Sequence, residues 1–326
     1  MELYIDKENL FSLLKTRKTN TSLYDDCIRM MRRNLDVRFN FQPSQLSPDD
    51  REIFDAFFED LNYSGSQKTF LNSPFPERPL KSNCYNFFTM GQLSSIYLLN
   101  DPKTNCVAQK DCILIGTLGQ EAETLSQLFF DDYQYSEGIP VEDFNGSWKH
   151  LSNWVRPATD IIFIDRFILD DVSLYESNLY SLLECLTEKN SEMKMNIVII
   201  ISNDKTGSMP PEKIKSEIER KISAKNRRFS VNVTIVPLSY DLREHDRTIV
   251  TNYIRYHSGD SFNYFNSRHG VETKGRDFNI SSLASIQNHN LVKNLLRDIQ
   301  QKIDEQKKRN PNFFIGNGNC NFLKIN

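Results

Sequence analysis

Two apolar runs limit what this chain can fold into: "DIIFIDRFIL" beginning at Asp160 and "NIVIIISND" beginning at Asn196. Their hydrophobic residues are contiguous rather than alternating, so neither face of such a strand meets water. That pattern belongs to central strands of a sheet covered on both sides. The segments around them supply the covering helices. "PPEKIKSEIERKISAKNRR" puts Ile214, Ile218 and Ile222 on one face, and Leu174, Leu179, Leu182, Leu183 and Leu186 mark a second helix. "VNVTIV" and "DRTIVTNYI" read as a third and a fourth strand. Strands alternating with amphipathic helices predict an α/β fold with helices flanking a sheet. The end of the chain predicts one more helix, with Leu291, Leu295, Ile299 and Ile303 inward.

Ahead of this region lies an α+β segment. "LYIDKENLFSLLK" reads as a short strand, a turn at Asp6 and a helix. A strand-end aspartate can also hold a metal, but no later acidic cluster at matching strand ends is identifiable, so Asp6 reads as a helix cap. "TSLYDDCIRMMRRNL" spaces Tyr24, Cys27, Ile28, Met31 and Leu35 as a helix capped by Thr21 or Ser22, and Ser47-Pro48 opens another. Gly116 and Gly119 precede a helix without the Lys-Ser/Thr pair or third glycine of a phosphate-cradling loop, so they read as a strand-to-helix turn. "EGIPVEDFNGS" reads as a connection. The expected division is an α+β region over 1–145, an α/β domain over 146–270, and a C-terminal helical extension over 271–326 that packs on the core or a partner.

Composition narrows the function classes. The chain has 326 residues, 39% hydrophobic content and a net charge of −3, which exclude disorder and any global attraction to nucleic acid. Six scattered cysteines without a CxxC pair point to a reducing compartment and against structural zinc. Without a signal-like or membrane-length apolar segment, the expectation is a cytoplasmic chain away from the membrane, with no metal and no cofactor.

In such a sheet the carboxyl ends of adjacent strands converge on one rim, the usual place for a ligand. Asp165 and Arg166 end one strand, Ser202, Asn203 and Asp204 the next, and His245, Asp246 and Arg247 introduce the fourth. The motifs "IIFIDRFIL", "NIVIIISND", "VNVTIV", "HDRTIVTN" and "GDSFN" occur in an order that resembles the phospholipase D-like superfamily over roughly residues 148–265. That family has His-x-Lys, an Asp seven positions after the His, and a Gly fourteen positions after it. Here the positions hold His245, Arg247 for the Lys, Asn252 for the Asp, and Gly259. Asp260 stands where the family has Ser, and Phe262 where it has Asn, with Asn263 one place late.

The resemblance implies a mixed sheet flanked by helices. It also implies a site in which His245 attacks phosphorus, Arg247 clamps the phosphoryl oxygens and Asn252 orients a neighbour. Asp165, Arg166, Asn203, Gly259 and Ser261 would make up the phosphate-binding rim. A neutral imidazole beside a cation is suited to that chemistry near pH 7. Only one such motif is present, so an active enzyme needs a homodimer or a second histidine, for which His257 and His269 are the candidates. A basic helix face with Lys213, Arg220, Lys221, Arg227 and Arg228 reads as a solvated face or as a track for a phosphate backbone. The residues leave two functions open. One is a degenerate phospholipase D-like binding or scaffold component of a prokaryotic defence-type protein complex, acting on or near nucleic acid. The other is a metal-independent phosphodiesterase or nuclease.

Overall fold

In the first residues of the chain, β1 (Glu2–Ile5) alternates half-buried and buried positions, with Leu3 and Ile5 fully inside. A computed structural model describes residues 1–39, 41–62, 95–98, 114–189, 194–204, 207–225, 230–241, 247–272 and 277–326. The chain divides into two compact units, one of residues 1–135 with 282–289 and one of residues 136–281 with 290–326.

In the first unit, Asp6 ends β1 and caps helix α1 (Lys7–Thr19) by accepting from the Asn9 amide nitrogen at 2.9 Å. Helix α2 (Thr21–Asn34) takes its cap from Asn20 rather than from Thr21 or Ser22: Asn20 Oδ1 accepts from Leu23 N, and Thr21 is already helical. The spacing of Tyr24, Cys27, Ile28 and Met31 does what it predicts, and all four are buried. After β2 (Asp36–Phe39), Ser47 Oγ accepts from Asp50 N at the start of α3 (Pro48–Asn62). Strands β3 (Ser95–Leu98) and β4 (Ile115–Gly116) complete a four-stranded sheet of order β2-β1-β3-β4, every pairing parallel. A Cβ on Gly116 would sit 2.5 Å from Thr124 Oγ1 and 2.6 Å from Leu98 Cδ2, so this glycine serves close strand-to-helix packing.

The second unit is a mixed seven-stranded sheet. Its strands are β5 (Ser136–Pro140), β6 (Asp160–Ile164), β7 (Lys194–Ser202), β8 (Ser230–Leu238), β9 (Arg247–Val250), β10 (Ile254–Ser258) and β11 (Asp277–Ser282). The order is β5-β11-β10-β9-β6-β7-β8. β6, β7 and β8 run parallel, β9 and β10 form an antiparallel hairpin against β6, and β5 is antiparallel to β11. All five residues of β6 are buried, as its unbroken apolar run requires.

Two boundaries differ from the expectation. Residues 136–140, expected in a connection, pair with β11, so the second unit begins before residue 146. The segment after 271 is divided between the units: 277–281 and 290–326 belong to the second and 282–289 to the first. The helix Ile286–Arg309 buries Val292, Leu296, Ile299 and Ile303, while Leu291 is 45% exposed; its inward face is turned by one residue at the first two positions. The helical stretch after β6 contains a π-turn at Glu176–Tyr180 before Ser181–Leu186. The tail returns to the sheet where Ile315 pairs antiparallel with Ile235. No helix among the described residues is long and apolar enough to cross a membrane.

Candidate functional site

The directions of the strands decide what meets what. Because β9 is antiparallel to β6, and β10 antiparallel to β9, the first residue of β9 lies at the same edge as the carboxyl ends of β6, β7, β8 and β10. The pairings Ile164↔Thr248 and Arg247↔Ser258 therefore bring Asp165, Arg247 and the Ser258–Phe262 turn to one rim. His245 and Asp246 lie outside the described residues, as do Arg227 and Arg228.

The cations on this rim share an aromatic neighbour. The Arg166 guanidinium carbon is 4.1 Å from the Phe167 ring centroid, and that of Arg247 is 5.8 Å from it. A ring face attracts cations through its quadrupole, which lets two like charges approach one another at reduced cost. Arg247 also donates at 3.4 Å, a long contact, to the Gly259 carbonyl, and its buried Nε has no partner among the described residues. Sequence reasoning missed Phe167. The available signal was its position directly after the Asp-Arg that ends the buried strand.

Asp165 is fully buried; its Oδ1 accepts from Phe167 N at 2.9 Å, and its Oδ2 from Ser261 Oγ at 2.6 Å and Phe262 N at 2.8 Å. Burial pushes this carboxyl above the ordinary aspartate value, against the pull of those hydrogen bonds and of the Arg247 charge. Asp165 thus braces the Ser261–Phe262 turn through Phe167 N, Ser261 Oγ and Phe262 N. Asn203, exposed at the end of β7, donates its backbone N–H to Leu238 O at 2.8 Å, and Gly259 is exposed with open space around it. Phe262 is fully buried with its ring edge-on to Phe163 at 5.3 Å, so this position serves packing. Asn263 faces the rim instead: its Nδ2 donates to Phe167 O at 3.0 Å and its Oδ1 has no partner among the described residues.

Asn252 does not join this rim. It sits in the β9–β10 turn at the opposite end of β6, where its Oδ1 accepts from Thr159 N at 2.8 Å and Asp160 N at 3.2 Å. Five residues of extended strand place that contact roughly 16 Å from Asp165. Its orienting role therefore acts on the hairpin and the start of β6, away from any chemistry at Arg247. The second-histidine candidates are also elsewhere. His257 pairs with Thr248, one residue out of step with Arg247, so it occupies the other face of the sheet, with Nδ1 at 3.2 Å from Thr248 Oγ1. His269 lies in a turn with φ +61, its carbonyl against Gly146.

The basic helix face is partly committed within the chain. Lys221 pairs with Glu176 at 2.5 Å and stands over the Tyr180 ring at 4.8 Å. Lys213 and Arg220 are exposed. The helix Pro211–Lys225 starts after β7 and returns to β8, so its first turn, with Lys213, is nearest the rim and Arg220 points toward the far end.

Chemically, the arrangement offers two planar guanidinium forks on one ring, above a turn locked by a buried carboxylate. Guanidinium forks of this kind can bind oxyanions with several acceptor oxygens.

No family model and no curated protein matches the chain. Among solved structures it is similar to the crystal structure of phosphatidylserine synthase from Haemophilus influenzae Rd KW20. The TM-score is 0.31 and the identity 15%, over 47% of this chain and 34% of that one. The chain thus spans about a third of that structure's length.

Proposed function

We propose that the second unit is a degenerate phospholipase D-like domain that recognises a phosphate group at this rim and works by binding rather than turnover. The observation that carries the reading is the convergence of Arg166 and Arg247 on Phe167, beside a turn that Asp165 holds in place. Binding is favoured over turnover because Asn252 and Phe262 have been given to structure and Asp165 to bracing. The phosphodiester backbone of nucleic acid is the ligand class, with Lys213 extending the basic edge at the start of its helix. Contacts of this kind add affinity without reading sequence.

The test uses fluorescence anisotropy with short labelled single-stranded DNA and RNA in EDTA at low salt. Arg166→Ala and Arg247→Ala are each expected to lower affinity at least tenfold, and excess inorganic phosphate to compete. Affinity unchanged in both variants overturns the reading.

A second reading is supported by Arg247 standing at the rim two residues after His245. In it the chain is a metal-independent phosphodiesterase with His245 as nucleophile, active as a homodimer, because His257 and His269 are placed elsewhere. Cleavage that persists in EDTA and disappears in His245→Ala selects this reading. Intact nucleic acid after prolonged incubation selects the first.

A further inference from the structure

The rim bearing Arg166 and Arg247 is one stretch of a longer edge, and the far end of that edge carries groups the phosphate site does not use. β6, β7 and β8 run parallel, and their registers put Ile164 beside Ile200 and Ser202 beside Leu238. The carboxyl end of β8 therefore lies two strands from that of β6, roughly 10 Å along the same edge. Ser239, Tyr240 and Asp241 follow it directly. Tyr240 is 62% exposed, more than any other large apolar side chain among the described residues.

A second element reaches the same place. The last turn of the helix Ile286–Arg309 is basic, with Lys307, Lys308 and Arg309. Cations there suit a helix C-terminus whatever they face, so the decisive point is where the turn lands. Three hydrogen bonds fix it. Gln306 Oε1 accepts from Ser239 N at 3.2 Å, and Arg309 Nη1 donates to Ser239 Oγ at 3.2 Å and to Asp241 Oδ2 at 2.7 Å. The residues on both sides of Tyr240 are thus held against the helix end. The same contacts pair Asp241 with Arg309, while Asp304, one turn earlier, accepts from Gln300 at 2.8 Å. Lys308 is exposed, and no ion pair among the described residues uses it or Lys307.

Lysines and an exposed aromatic ring at one end, with two guanidinium groups at the other, match a polyanion that carries flat apolar groups. Single-stranded nucleic acid has that chemistry: its phosphates meet cations and its unpaired bases stack on aromatic rings. We propose that this edge is a track for single-stranded nucleic acid, on which Tyr240 stacks against a base and Lys307 and Lys308 take a phosphate beyond the one at Arg166 and Arg247. The track rests on the phosphate reading of the rim and adds to it a path, from β9 toward β8, and a use for unpaired bases. Lys213, in the first turn of the helix after β7, comes from the strand between the two ends.

The experiment measures anisotropy of labelled oligo(dT), of the same backbone with abasic sites, and of a duplex of equal length, each with the full chain at low salt. Tyr240→Ala is expected to lower oligo(dT) affinity about fivefold or more and to leave affinity for the abasic strand and the duplex within about twofold. Tyr240→Phe, which keeps the ring, is expected to bind as the wild type does. Lys307→Ala combined with Lys308→Ala is expected to flatten the salt dependence of oligo(dT) binding. Unchanged oligo(dT) affinity in Tyr240→Ala, an equal loss in Tyr240→Phe, or an unchanged salt slope in the lysine variant overturns the track. If Arg166→Ala and Arg247→Ala still weaken the same probe, the phosphate rim stands without it. Affinity unchanged in both arginine variants overturns the rim and the track together.

Discussion

Strand β6 has an aspartate at each end, and the two are buried alike but surrounded differently. Asp160 accepts from Thr159 Oγ1, Asn196 Nδ2, and both the backbone and the side-chain nitrogen of Asn321. Asp165 also accepts only neutral hydrogen bonds, yet it has the Arg247 charge in its field. At the first end the C-terminal tail closes over the strand through Asn321. At the second, Gly259 is exposed and two guanidinium groups stand beyond the carboxylate. Burial of an acid therefore does not by itself mark a functional end. The distinguishing feature is the cationic charge near Asp165.

The comparison breaks most visibly at Asp160. Asp160→Ala leaves the donors of Asn321 and Asn196 without this acceptor and is expected to cost about 3–5 kcal/mol. Both tryptophans, Trp148 and Trp154, lie in the second unit, so their fluorescence in a urea titration follows that unit alone. A loss below about 1 kcal/mol would mean that the tail does not depend on this carboxylate. Phosphate affinity, measured below the unfolding transition, is expected to be unchanged.

The Asn252→Asp substitution probes the same comparison with a smaller effect. It introduces the residue that the phospholipase D-like pattern carries at this position. The new carboxylate still accepts from Thr159 N and Asp160 N, but it cannot donate to Thr159 Oγ1 as Asn252 Nδ2 does at 2.9 Å. It also brings a second negative charge close to buried Asp160. A destabilisation of roughly 1–2 kcal/mol follows, with no gain in phosphate affinity and no cleavage of nucleic acid. Acquired cleavage would show that the two ends of β6 communicate, and the separation argued here would fail.

Legibility in the sequence followed the same physical division. The buried strands β6, β7 and β8 were readable because contiguous Ile, Val and Phe residues have no other stable environment. β5 was not, because "SEGIP" buries only Ile139 fully and its Gly and Pro read as a connection. β11 was missed for a related reason: "DFNISS" presents one polar edge and short side chains, and it becomes a strand only because β5 and β10 stand on either side of it. At the rim, the strand ends identified the right neighbourhood, placing Asp165, Arg166 and Arg247 together. Roles within it were not legible. Linear spacing cannot tell that Asn252 falls at a turn on the far side, or that Asp165 points inward at the Ser261 turn instead of outward at a ligand.

The smallest effect concerns pH and belongs to Asp165 alone. Burial raises its carboxyl above the unfolded value of about 4, while three hydrogen bonds and Arg247 pull it back, so the net displacement is a remainder of opposing effects. The folded chain therefore binds this proton more tightly than the unfolded chain does. Below about pH 4 both states are protonated, and the preference is fully expressed. As pH rises from there through the raised folded value, the proton is lost and its contribution to stability declines. Urea midpoints followed by tryptophan fluorescence should accordingly fall more steeply with pH in the wild type than in Asp165→Asn, which has no proton to lose at this position. The remaining carboxylates titrate in both proteins and cancel in the difference. Parallel slopes would mean that hydrogen bonds and Arg247 fully offset burial at Asp165.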